Sequence, residues 1–175
     1  NVGMTGLSWS GFNSLQVAAL APAPLKAIVT TCASDDRFAD DMHYMGGCLL
    51  NDNLQYGSTL FTWLATPPDP AIVGERWRDM WLARLDAVSP PALQWMRNGT
   101  RNGYWKSGSV CEDYSAIKAA VLAVGGWADG YTNAVMRLLS GLTGPRKGLI
   151  GPWGHAFPHV ATPGPGIDFI AYLKR

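Results

Sequence analysis

The sequence predicts an α/β fold in which a parallel sheet with flanking helices is interrupted by an inserted helical segment. Three observations predict it. A strand, a helix and a second strand follow one another within residues 2–32; strand and helix alternate again from residue 119; and the stretch between has no run of comparable strand character. With 175 residues, the chain has enough length to bury roughly 68–70% of the surface its unfolded form exposes.

Val2 to Leu7 is short, apolar and bounded by glycine, as a buried strand is. From Gly11 the period changes, with Phe12, Leu15, Ala18 and Ala19 on one helical face, and Pro22 and Pro24 end that helix. Leu25 to Cys32 is rich in β-branched residues and reads as the second strand. The domain division expected is therefore a core part at 1–34, an insertion at 35–116 and a second core part at 117–175. Within the insertion, Asp69-Pro70 is a good N-cap and first-turn pair. It opens a helix whose apolar face would carry Val73, Trp77, Met80, Trp81 and Leu85. Ala119 to Val124 restores strand character. A helix follows with Ala134, Val135, Leu138, Leu139 and Leu142, then a short strand at Lys147–Ile150 and a last helix over Ile167–Leu173.

Composition narrows the function. The formal net charge is +1 with acids and bases interspersed, which gives no electrostatic footprint for nucleic acid or an anionic membrane. Cys32, Cys48 and Cys111 are odd in number and widely spaced, so they read as buried apolar thiols rather than a disulfide framework or a zinc site. No stretch approaches the ~18 apolar residues of a membrane span, and the start lacks a signal-peptide pattern, so a cytoplasmic location is expected. No cofactor and no metal is called for.

The chemical signal is Gly6-Leu7-Ser8-Trp9-Ser10-Gly11, which places a serine between small residues at the switch from strand to helix. A serine hydroxyl is a weak nucleophile near neutral pH. It needs an imidazole to take its proton and a carboxylate to orient that imidazole. In parallel sheets reactive residues gather beyond the carboxyl ends of the strands. Ser8, Asp129 and His155 each lie a few residues past such an end, in the chain order serine, aspartate, histidine used by α/β-hydrolases. Ser10 stands where the strict G-x-S-x-G pattern has glycine. The backbone N–H of Trp9, next after the serine, is the candidate oxyanion-hole donor.

Other residues fit these roles less well. His159 lies close to His155, but Pro158 intervenes; His43 reads as a structural residue of the insertion. A metal site from Asp35, Asp36, Asp40, Asp41 and His43 competes with a solvated acidic turn. Asp35, Asp36, Asp40, Glu112 and Asp113 also read as exposed turns rather than an amine-recognition site. Trp127 and Trp153, with Trp9, flank the candidate triad and are expected either to wall an aromatic substrate pocket or to seal the packing between sheet and insertion.

The stretches Val2–Asn13, Gly125–Asn133 and Gly151–His155, with Asp40–Gly47 and Gly74–Trp81 in the insertion, resemble the CocE/NonD group of α/β-hydrolases, which includes cocaine esterases and X-Pro dipeptidyl-peptidases. The resemblance implies Ser8 as nucleophile, Asp129 as triad acid, His155 as general base and residues 35–116 as a helical cap. It implies hydrolysis of carboxylic esters or amides, acyl or X-Pro, through an acyl-enzyme. Family members carry strands before the nucleophile and a jelly-roll domain after the hydrolase domain. Both are expected to be absent here, with low activity and one missing oxyanion donor as the consequence. The partners expected are a small-molecule ester, amide or peptide and, for a full-length protein, a second copy in a homodimer. The contrasting expectation is an inactive fold relative serving as a binding or assembly module.

Overall fold

A computed structural model describes residues 1–160, so the helix expected over Ile167–Leu173 lies outside the described residues. The described residues form two compact units, one made of residues 1–41 and 103–160, the other of Met42–Asn102.

The first unit is built on a four-stranded parallel sheet. Its strands are β1 (Val2–Leu7), β2 (Leu25–Thr31), β5 (Ala120–Gly126) and β6 (Arg146–Gly151), in the spatial order β1-β2-β5-β6. Helices α1 (Trp9–Ala19) and α7 (Thr132–Gly141) make the crossovers β1 to β2 and β5 to β6. Strand residues alternate between two faces, as the period of 2 requires. Ile28, Val121 and Ala123 pack with Leu15 and Ala18 of α1 and Val135 and Leu138 of α7. Val29, Leu122 and Val124 face the other way, around Trp153. Both helices thus cover one face, the arrangement that same-handed crossovers give when strand order follows chain order.

Of the face expected for α1, Leu15 and Ala18 are buried, Ala19 packs half-buried against the same core and Phe12 is half-buried, while Gly11 and Ser14 complete the buried face. Each fully buried leucine or isoleucine here contributes roughly 1.5–3 kcal/mol relative to exposure.

Register places the strand ends in one row. Leu7 pairs with Thr31, Thr31 with Val124, and Val124 with Leu149. Ser8 and Cys32 are the residues just past that row on neighbouring strands.

The second unit contains the hairpin β3 (Tyr44–Met45) and β4 (Cys48–Leu49), helix α2 (Asp52–Leu64), α3 (Pro70–Val73), α4 (Trp77–Ala87) and α5 (Pro91–Arg97). The hairpin turns on Gly46-Gly47, and sequence texture did not signal it. His43 is structural: its Nδ1 and Asn53 Oδ1 are 2.8 Å apart, and its ring meets Trp95 edge-on at 4.5 Å. The helix expected from Asp69 is capped as foreseen, with Asp69 accepting from Ala71 N–H, but it breaks at Gly74, whose φ of 63° a helix cannot hold. No residue of α4 is buried, and Met80 and Leu85 are 41% and 38% exposed. The short helix α6 (Gly103–Lys106) returns the chain to the first unit and buries Trp105.

The acidic run after β2 is not a solvated turn throughout. The Asp35 side chain is 0% exposed and receives Arg137 of α7 at 2.6 and 3.0 Å, while Asp40 takes the other end of the guanidinium at 2.8 Å. The Tyr114 hydroxyl also donates to Asp35. Burial first, then the hydrogen bond to Asp35 and the Asp35 charge, pushes the Tyr114 phenol up. For Arg137 burial works downward, and the bonds to Asp35 and Asp40 outweigh it. Of the thiols, Cys32 is buried as expected, but Cys48 is exposed and Cys111 half-buried.

Candidate active site

Ser8 joins β1 directly to α1, with φ 62° and ψ −123°. This is backbone that a residue with a Cβ rarely adopts, and it persists only where the surroundings over-determine it. The surroundings here are specific. A Cβ on Gly6 would lie 2.3 Å from Ser10 C and 2.5 Å from Gly11 N; one on Gly11 would lie 2.9 Å from Gly6 O. Strand and helix therefore meet backbone to backbone. The Ser8 N–H donates to Thr31 O at 2.8 Å, which ties the turn to β2. Ser10 has its own use: its hydroxyl accepts from Leu7 N–H at 3.0 Å and donates to Leu7 O at 2.9 Å, bracing the turn from inside the helix. That accounts for a serine where the pattern has glycine.

Asp129 and His155 come together. His155 Nδ1 lies 3.0 Å from Asp129 Oδ1, with the carboxylate side chain 3% exposed and the imidazole 41% exposed. The loop after β5 is held by Asp129 N–H donating to Gly126 O at 3.1 Å and by the Thr132 hydroxyl donating to Asp129 O at 2.7 Å. The Tyr131 ring lies against His155 at 5.7 Å. With Nδ1 engaged by the aspartate, Nε2 is the ring nitrogen left for proton transfer. Ser8 is half-buried, and its hydroxyl forms no hydrogen bond with a described residue, so the Ser8–His155 link is not made.

Below the pair lies Cys32, 1% exposed and itself at a φ of 48°. Burial first, then the neighbouring Asp129 charge, pushes its thiol from the ordinary 9.0 up to about 12. In composition this cysteine is no more than a buried apolar thiol. Its place just past β2, the strand between β1 and β5, was the available signal.

Residues 1–157 match the family described as X-Pro dipeptidyl-peptidase (S15 family). The chain belongs to the S15 family. A relative of this S15 chain, cocaine esterase from Rhodococcus sp. (strain MB1 Bresler), is 26% identical over 179 residues, covering 89% of the chain and 31% of the esterase. The S15 chain thus spans about a third of that relative's length. Among solved structures, the CocE/NonD family hydrolase of Staphylococcus aureus superposes with a TM-score of 0.61 at 18% identity, over 86% of this chain and 24% of that one. An α-amino acid ester hydrolase superposes at 0.58 with 17% identity, over 89% and 28%. The fold of the S15 chain is the α/β-hydrolase fold.

Two tryptophans expected at the site take different places in this S15 chain. Trp153 is 1% exposed, packed with Val124, and its indole N–H has no partner among the described residues. It fills core rather than walling a pocket, because no face of the ring reaches solvent. Trp127 is 70% exposed. Trp9 is the first residue of α1, so its N–H is among the helix's N-terminal donors, at the positive end of the dipole. Among the described residues no helix is long and apolar enough to cross a membrane.

Proposed function

We propose that the protein is a serine hydrolase that cleaves carboxylic ester or amide bonds through an acyl-enzyme. The observation that carries this is the conformation of Ser8. A non-glycine residue forced to φ 62° at a strand-to-helix junction is the geometry of a nucleophile elbow, which lifts a hydroxyl clear of the sheet edge. In the proposal Ser8 Oγ attacks the carbonyl carbon as His155 Nε2 takes the hydroxyl proton. Asp129 holds the ring in the Nδ1–H tautomer and stabilises the imidazolium. The N–H of Trp9 supports the oxyanion. The imidazolium returns its proton to the departing alcohol or amine, and water, activated by the same nitrogen, releases the acid. Trp127 serves as an aromatic wall. The names of the relatives, a cocaine esterase and an α-amino acid ester hydrolase, favour esters as first substrates, and the family name adds X-Pro amides.

A second reading, a binding module without turnover, has one observation in its favour, the missing Ser8–His155 hydrogen bond. A fluorophosphonate probe separates the two. The protein is expected to be labelled at Ser8, with labelling lost in Ser8→Ala and much slowed in His155→Gln. Equal labelling of Ser8→Ala would sink the assignment of nucleophile, and no labelling of the unaltered protein would favour the module.

A further inference from the structure

Cys32 Sγ, a carboxylate oxygen of Asp129 and a ring nitrogen of His155 lie within 4.8 Å of one another. They come from the ends of three adjacent strands, β2, β5 and β6, so their spacing is set by the sheet. Thiolate, carboxylate and imidazole together are the ligand types that zinc takes, and three protein ligands with a fourth position for water make an open tetrahedral site. Tetrahedral ligands stand about 3.5 Å apart at those bond lengths, so closure needs a shift of about an ångström. His155, the exposed member, is free to make it by rotation.

Two further observations point to a ligand. Asp129 Oδ2 is buried and has no hydrogen-bond partner among the described residues, which leaves half of a carboxylate unsatisfied in the interior. Such an atom is costly to bury unless something binds it. Cys32 is held at a φ of 48°, with its N–H donating to Val124 O at 2.8 Å. Its thiol makes long contacts, 3.8 Å each, to the carbonyls of Gly154 and Ala156 in the loop that bears His155, and it faces the Asp129 carboxylate. Without a metal the thiol keeps its proton beside the carboxylate.

We propose that Cys32, Asp129 and His155 form an inhibitory site for a thiophilic divalent cation, zinc foremost, that silences the hydrolase by occupying its base. On binding, the thiol releases its proton to solvent, and sulfur, a carboxylate oxygen and the Nδ1 lone pair enter the metal shell. Thiolate, carboxylate and a dication sum to zero charge, which suits a buried site. With Nδ1 on the metal, the ring proton sits on Nε2, which then cannot accept from Ser8. No electron changes hands. The binding stands on its own; the inhibition rests on the serine-hydrolase reading.

The test uses the protein with Cys48→Ser and Cys111→Ser, so that Cys32 is the remaining thiol. Titration with cadmium is expected to give a thiolate-to-metal charge-transfer band that saturates at one equivalent and is displaced by zinc. Cys32→Ala removes the band and weakens zinc binding by more than the ~10–100-fold that outer partners contribute. Cys32→Ser, nearly isosteric, does the same and guards against loss of fold. Zinc is expected to stop ester turnover until a chelator is added, while Cys32→Ala, close to full rate in metal-free buffer, resists zinc. No band in the single-thiol protein, a band that survives Cys32→Ala, or zinc inhibition unchanged in that variant overturns the site. A saturating band in a protein that never hydrolyses esters leaves the site standing and overturns the hydrolase reading instead.

Discussion

Gly6→Ala puts the elbow to its most direct test. The added methyl would stand 2.3 Å from Ser10 C, 2.5 Å from Gly11 N and 2.5 Å from Ser10 O, all backbone atoms of the first turn of α1. None of these can rotate away. Restoring an ordinary contact of about 3.5 Å requires the turn to retreat by about an ångström, which also strains the Ser10 bonds to Leu7. Overpacking costs about 1–3 kcal/mol and each stretched hydrogen bond about 1 kcal/mol more, so a loss of about 3–5 kcal/mol is expected from a total of order 5–15. Misplacement of a reacting group by 1 Å costs about 10²-fold in rate. Urea unfolding and the rate of fluorophosphonate labelling read the two effects, with Gly103→Ala as control, because a methyl there meets nothing within 4 Å. A Gly6→Ala protein within about 1 kcal/mol of the parent that is labelled as fast would refute the account of the turn.

Asp129→Asn keeps the shape of the buried acid but favours the wrong imidazole tautomer; labelling of Ser8 should slow by up to about 10⁴ while circular dichroism stays unchanged. Asp35→Ala leaves the Arg137 guanidinium with Asp40 alone and the Tyr114 hydroxyl without its acceptor. Since Arg137 is a third exposed, the low end of the range for broken buried pairs applies, about 3 kcal/mol, or roughly 10 °C in melting temperature by differential scanning calorimetry. The Cys32 thiol makes stability pH-dependent in alkali. Its folded pKa of about 12 exceeds the unfolded 9.0, so unfolded chains lose the proton first, and stability present below pH 9 falls as pH rises toward 12. Between pH 8 and 10 the loss is about 1.4 kcal/mol by urea midpoint, and Cys32→Ser should abolish that component. A slope unchanged in Cys32→Ser would show that the thiol is not its source.

The sheet was legible because its strands are short apolar runs punctuated by glycine and proline. The pairing of Asp129 with His155 was legible because α/β topology brings strand ends together whatever lies between. What escaped were features decided by partners distant in sequence. Asp35 has the composition of a turn residue, and only Arg137, 102 positions on, makes it a buried anion. Trp153 sits in the loop that bears His155, yet packing against Val124 turns its ring into the core. The Val73–Leu85 apolar period continues through Gly74, where the backbone does not. Cys32 carried no motif at all, and its neighbourhood follows from register alone.

The strand order also sets when the first unit's sheet edge can come into being. β1 and β2 are joined by a single helix, but Ala27 of β2 pairs with Ala120 of β5, across the whole inserted segment, and β6 comes later still. Closing so long a loop is entropically slow, and parallel pairing gives nothing back until it is closed. Until β5 and β6 dock, the sheet edge that carries Ser8 therefore holds neither the Asp129 carboxylate nor the His155 imidazole. On the proposed mechanism the hydroxyl can be activated only once β6 has paired with β5, so reactivity waits for the pairing that spans the insertion.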